Sequence, residues 1–307
     1  MENLRNDDIQ VIFVVGPTAV GKSAFAVDLA LDFNGDAEIV SADSMQVYRG
    51  LNIGTAKPSI EERKGVPHHM IDVADPKEDY SVGLYSQSAN RIINDILSQG
   101  KTAIVCGGSG LYIHSLMYEL DFSGSERDES LRKELTKEAE EKGSDYLYQK
   151  LIEIDPTSAD KVHPNNAKRV IRALERLYGE IENDGIRGFE NTYTAPKRYK
   201  SKIIRLTMDR DELYKRVEKR AEDFFNNGLV SEVQGLIDRG VPENSTAMKG
   251  IGYKEVIAML KGEYDEEEAL RLIKQMTRRY AKRQETWFKR YHEAELLNPL
   301  NILHVKA

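Results

Sequence analysis

The first third of the chain alternates short apolar runs with helical periodicities. Residues 10–15, Gln-Val-Ile-Phe-Val-Val, carry no polar position after Gln10, the pattern of a strand buried on both faces. Between Lys22 and Phe33 the residues Phe25, Ala26, Leu29, Ala30 and Phe33 fall at helical spacing and predict a helix. Residues 38–41 and 102–106 repeat the strand pattern, each running into a small polar turn, Asp43-Ser44 in one case and Gly107-Gly-Ser-Gly110 in the other. Strands alternating with helices predict an α/β fold built on a parallel sheet, with ligands bound at the carboxyl ends of the strands.

The pattern changes after residue 121. Residues 126–153 are charge-rich with helical periodicity, His163-Pro164-Asn165 opens a helix to about residue 178, and residues 183–200 read as a loop. An all-helical insertion domain over 122–200 is expected, set into a core made of 1–121 and 201–307. Residues 202–207 return to the strand pattern, and helices are predicted over 211–227, 230–238, 253–260 and about 265–291. No repeat or low-complexity tract interrupts them.

Composition narrows this picture. A length of 307 residues suits two domains, and 40% apolar against 31% charged residues suits a globular protein. No stretch approaches the ~18 apolar residues of a membrane span. The start is polar and acidic, so a cytoplasmic protein away from membranes is expected. A lone Cys106 excludes a disulfide framework and a cysteine zinc site. The net charge of −7 means that a nucleic-acid partner has to meet a confined basic surface.

Two such surfaces are available. Arg169, Arg172 and Arg176 share one helix face beside Lys168, opposite Val170, Ala173, Leu174 and Leu177. Residues 271–290 hold eight basic side chains against Glu285 alone, with Ile273, Met276, Tyr280, Trp287 and Tyr291 as their apolar face. Each alone reads as a solvated face; both in an acidic chain point to a phosphate-rich polymer.

Gly16-Pro-Thr-Ala-Val-Gly21-Lys22-Ser23 matches the phosphate-loop pattern, placed between a predicted strand and a predicted helix as its mechanism requires. The glycines let main-chain N–H groups turn inward on an anion. The helix N-terminus adds positive potential, Lys22 reaches outer oxygens, and Ser23 can hold Mg2+. A phosphate-loop NTPase-like sheet flanked by helices is therefore expected. The strand at 102–106 ends without the second carboxylate of a hydrolytic ATPase. Asp43 is the acid placed near the loop, and its spacing fits a metal ligand, a general base or a turn former alike. Arg216 and Arg220, four apart on a helix, fit either pyrophosphate binding or surface ion pairing. His68-His69 fits a structural role better than a metal site.

Taken in order, several segments resemble one family: the phosphate loop, Ser41-Ala-Asp-Ser-Met-Gln-Val-Tyr48, Gly54-Thr-Ala-Lys-Pro58, Val66-Pro-His-His-Met-Ile-Asp72, Gly107-Gly-Ser-Gly-Leu-Tyr112, His163-Pro-Asn-Asn-Ala-Lys-Arg169, Gly250-Ile-Gly-Tyr253 and Arg279-Tyr-Ala-Lys-Arg-Gln284. From about residue 10 to 290 the chain is similar to the bacterial tRNA dimethylallyltransferases. That resemblance implies prenyl transfer from dimethylallyl diphosphate to N6 of the adenosine 3′ of the tRNA anticodon. Gly16, Thr18, Ala19, Val20, Gly21, Lys22 and Ser23, with Arg220 and Arg216, are then the diphosphate-binding set, with Mg2+ on Ser23. Asp43 is the base. Ser44, Met45, Gln46, Ser109, Arg132, Lys168, Arg169, Arg172, Lys249, Gly252, Tyr253 and Lys254 match tRNA-contacting positions. The partners are the tRNA anticodon stem-loop and the prenyl donor, the protein is expected to be a monomer, and no zinc finger is expected from a single cysteine. The alternatives are the same chemistry on free AMP, a kinase using the loop for ATP, and a binding module without catalysis.

Overall fold

The computed structural model describes residues 9–119, 129–178 and 197–300. Six parallel strands form one sheet, in the order β3-β2-β4-β1-β5-β6. β1 (Val11–Val15) lies at its centre, wholly buried, with Val11 in register with Ala103 on β4 (Thr102–Gly107) and Ser201 on β5 (Ser201–Leu206). Next to β4 lies β2 (Ala37–Ser41), and short strands β3 (His68–His69) and β6 (Glu295–Leu297) close the two edges. On one face α1 (Lys22–Asp32) buries Phe25, Ala26, Leu29 and Ala30 against Ile12, Val14, Ile39 and Ile104. Unbroken apolar strands thus yield a sheet covered on both faces.

Four elements go beyond the sequence expectation. α2 (Val82–Ser98) is capped by Ser81, whose Oγ accepts the Leu84 N–H at 3.2 Å, and its buried stripe runs through Tyr85, Ser86, Ala89, Ile93 and Ile96. A serine and an alanine in that stripe dilute the periodic signal. α3 (Gly110–Met117) starts inside the glycine turn and is buried nearly throughout, so it has no polar face to set a period. The edge strands are two and three residues long, too short for a pattern.

The chain divides into two compact units, Met1–Met117 with Lys197–Ala307, and Tyr118–Pro196. In the second, α4 (Glu129–Lys142), α5 (Ser144–Ile154), α6 (Pro156–Ala159) and α7 (Ala167–Tyr178) surround Leu135, Leu147, Leu151, Val170 and Leu174. The helical stretch expected over 126–153 is two helices, parted at Gly143 with φ +88°. The helix expected from His163 begins at Ala167, because residues 163–166 form a turn closed by the Asn166 N–H on the His163 carbonyl. Most of the loop expected over 183–200 lies outside the described residues. The first unit is completed by α8 (Arg210–Asn226), α9 (Leu229–Asp238), α10 (Tyr253–Leu260) and α11 (Glu266–Phe288). Among the described residues no helix is long and apolar enough to cross a membrane.

Candidate active site

The phosphate loop leaves the carboxyl end of β1 and enters α1. Gly16 has φ +151°, and a Cβ there would stand 2.7 Å from the Leu206 carbonyl oxygen, so the turn admits glycine alone. Ala19 and Gly21 also take positive φ, +64° and +100°, which curls the main chain over the start of the helix. Val20 sinks its side chain wholly into the core, leaving only its main chain to offer a ligand. Ser23 is exposed in the first turn of α1, where main-chain N–H groups lack helical partners.

Two cations meet at this loop. The Lys22 ammonium donates to the Pro17 carbonyl at 2.7 Å, and Arg220, from α8, donates through Nη1 to Thr18 Oγ1 at 3.3 Å. Burial, helped by Arg220 and opposed by Cys106 and Asp43, lowers the Lys22 ammonium to about 8. The Arg220 guanidinium is lowered too, again chiefly by burial, with Asp43 and Glu62 opposing. Arg216 is placed differently, 3.8 Å from Glu212 one turn earlier on α8. Spacing left both arginines open; the structure sets Arg220 at the loop and gives Arg216 an ion-pair partner on its own helix.

Beyond β2, Asp43 Oδ1 accepts the N–H groups of Met45 at 2.8 Å and Gln46 at 3.2 Å, closing an Asx turn. Ser109 Oγ accepts the Ser44 N–H at 2.9 Å and lies 3.1 Å from Ser44 Oγ. This contact needs Gly107, where a Cβ would fall 2.1 Å from the Ala42 carbonyl oxygen. Gln46 is buried, and its Nε2 donates to the Thr55 and Ala56 carbonyls at 3.1 and 3.3 Å. The loop so held is gripped again by Glu232 of α9. That carboxylate accepts the N–H groups of Asn52, Ile53 and Gly54 at 2.9, 2.8 and 3.3 Å, and the Tyr253 hydroxyl at 2.7 Å. Tyr253 is buried against Gly54, and burial raises its phenol well above the usual tyrosine range. Gly252, also buried, gives its N–H to Glu255 at 2.8 Å; Lys249 is exposed, and Lys254, also exposed, lies 3.5 Å from the same Glu255 carboxylate.

Sequence alone assigns no site role to Glu232, to Tyr280, which it places on an apolar face, or to Gln284, which it contains only within a family-matching segment. A buried Gln284 on the core side of α11 was the available signal, since an amide is rarely placed there without partners. The Tyr280 hydroxyl lies beside the Ser109 and Gln284 side chains, its phenol raised by burial and by Asp43. Nothing in its spacing distinguished Glu232.

Both basic stretches carry less free charge than their sequence suggests. In the helical unit, Arg132 binds Glu175 through two bonds of 2.5 and 2.6 Å, and Arg172 reaches the same buried carboxylate at 3.3 Å. Lys168 and Arg169 are exposed, and the Arg176 side chain lies outside the described residues. On α11, Arg271 pairs with Glu268, Lys274 with Glu222 and Arg278 with Glu218. Arg279, Lys282, Arg283, Lys289 and Arg290 remain exposed, Arg283 and Arg290 lying over the Tyr280 and Trp287 rings. His69 holds the Glu38 carboxylate at 2.7 Å in a structural contact.

A parallel sheet with a glycine loop after β1, two half-buried cations and an acid after β2, one strand removed across β4, defines a phosphate-loop protein for phosphorylated ligands. The family model for IPP transferases matches residues 46–291. The chain belongs to that family. It is 48% identical to the tRNA dimethylallyltransferase of Alkaliphilus metalliredigens over 94% of this chain and 91% of that one. Among solved structures it resembles a tRNA isopentenylpyrophosphate transferase from Bacillus halodurans, 40% identical, covering 94% of this chain and 89% of that one with a TM-score of 0.68. It also resembles a eukaryotic dimethylallyltransferase acting on tRNA, 30% identical, covering 94% and 73% of the two chains with a TM-score of 0.79.

Proposed function

We infer that the chain transfers a dimethylallyl group from dimethylallyl diphosphate to N6 of the adenosine 3′ of the anticodon in tRNA, releasing diphosphate. The observation that carries this reading is the set Lys22, Arg220 and Asp43, two cations at the phosphate loop within electrostatic reach of one acid. Adenine N6 is a poor nucleophile, its lone pair delocalised into the ring. It needs a strong electrophile and a group that removes its proton. Breaking the allylic C1–O bond gives a resonance-stabilised cation, and the loop N–H groups, Lys22 and Arg220 stabilise charge growing on the departing diphosphate. Asp43 accepts the N6 proton through the oxygen that its own turn leaves free. A stacked base cannot enter such a site, so the adenine is flipped out of the anticodon loop.

Mg2+ belongs to the chemistry of this family. The exposed Ser23 hydroxyl supplies one hard oxygen ligand, and no cluster of three acidic, His or Cys side chains exists among the described residues to build a protein cage. That fits an ion held mainly by diphosphate oxygens and water, which would supply further charge neutralisation on the leaving group. Ser44, Met45, Gln46 and Ser109, with the segment from Lys249 to Lys254, form the wall for the target nucleotide. Residues 122–200 serve as the tRNA-contacting part and the remainder as the catalytic core.

The test is incubation with radiolabelled dimethylallyl diphosphate and unmodified tRNA. Label recovered as N6-dimethylallyladenosine supports the reading; consumption of ATP without label transfer replaces it with a kinase. Two further expectations follow from the geometry. Donor affinity, measured by calorimetry from pH 7 to 9.5, is level below about 8 and falls above it. The bound diphosphate raises the Lys22 pKa, so binding takes up a proton there and weakens by up to ~10-fold per pH unit; Lys22→Arg flattens the profile. Replacing Lys168 and Arg169 by Ala together makes the salt dependence of tRNA binding shallower by about 1.4–1.8 in slope. Arg172→Ala moves that slope less than removing either exposed cation, because Arg172 donates to the Glu175 carboxylate that also holds Arg132.

A further inference from the structure

We propose that Gln284 is a positioning residue for the transfer, locking the part of the site that binds the donor's diphosphate to the part that holds the acid; this rests on the diphosphate reading of the loop. Gln284 is buried on α11, and the two ends of its amide are used in opposite senses. Oε1 accepts the Thr18 N–H at 2.8 Å, and Nε2 donates to the Gly108 carbonyl at 2.9 Å. Thr18 is therefore held twice, its main chain by Gln284 and its hydroxyl by Arg220. That double hold registers the guanidinium of Arg220 against the main chain of the loop. Gly108 precedes Ser109, whose hydroxyl holds the Ser44 N–H beside Asp43. One side chain thus connects the leaving-group cradle with the turn that carries the base.

The residue type follows from the geometry. A Cβ on residue 108 would stand 2.2 Å from Gln284 Nε2, so the glycine leaves the amide the room it occupies. Glutamate would turn the donation to Gly108 into repulsion between oxygens and add negative charge beside a diphosphate. Lysine and arginine offer no acceptor to Thr18, and asparagine is one methylene short. Displacement at C1 needs the leaving group and the entering amine aligned to within about 0.5 Å, which is what a buried two-ended brace between the half-sites supplies.

The test compares Gln284→Met and Gln284→Glu with the wild-type protein in the complete reaction, each first shown to melt cooperatively. Gln284→Met is expected to raise the donor KM at least tenfold and to lower the single-turnover rate at least tenfold, with the tRNA KM within threefold. Gln284→Glu keeps the bond to Thr18 but raises the donor KM further, and it decides the matter where Gln284→Met fails to fold. A merely structural role lowers the active fraction without separating the two KM values. Donor KM and single-turnover rate within twofold of wild type in a folded variant, or both KM values rising together, overturn the proposal. Failure of the wild-type protein to prenylate tRNA overturns the donor reading itself and is seen in the same assay.

Discussion

Asp43→Asn slows the chemical step about 10²–10⁴-fold and leaves donor and tRNA binding within a few-fold. Asparagine is the right replacement because it separates the turn that Asp43 closes from the base role proposed for it. Asp43 Oδ1 closes the turn over Met45 and Gln46, and the Asn oxygen accepts the same N–H groups. What asparagine cannot do is take a proton from N6. Alanine removes both functions, opens the turn that carries Ser44 to Gln46, and so adds a binding defect to the chemical one. Single-turnover rates with donor and tRNA both saturating separate the two variants. A rate for Asp43→Asn within tenfold of wild type removes Asp43 from the role of base and leaves it as a turn former.

Arg220→Met lowers kcat/KM for the donor about 10²–10³-fold without altering the tRNA KM, the scale for losing one buried donor to a developing anion. Two features make the loss large. The guanidinium sits in a buried environment where its charge is weakly screened, and it is bonded to Thr18 within the loop. Arg220→Lys does not restore the activity, since a point charge on a shorter reach cannot reproduce the planar fork. Arg216→Met, four residues away, stays within threefold of wild type, because Arg216 is paired with Glu212 on the helix surface. Equal losses at the two positions would contradict the placement of Arg220 at the diphosphate.

The central strands were legible because β1 and β4 are buried on both faces and admit almost nothing polar, while β2 keeps Ile39 and Val40 between a paired Glu38 and a small Ser41. The phosphate loop was legible because its chemistry demands glycine and lysine at fixed spacing. α2 was not, since its buried face includes Ser86 and Ala89 and so lacks contrast with its solvent face. For the site, residue type revealed which side chains carry charge but not which of them are already paired. Arg132 and Arg172 read as free cations in sequence, and only folding brings Glu175 between them. Likewise Arg216 and Arg220 are equivalent by spacing, and the different neighbours of one helix turn separate them. Glu232 was invisible because its partners, the N–H groups of residues 52–54, are about 180 positions away.

The phosphate loop is completed by residues far along the polypeptide. β1 pairs with β5, Arg220 reaches Thr18 across 202 positions and Gln284 across 266. A chain emerging from the ribosome therefore displays its glycine loop long before it has the arginine or the amide that complete it. Such distant contacts make folding slow to nucleate, and the loop acquires its full set of partners only when the last helix has packed.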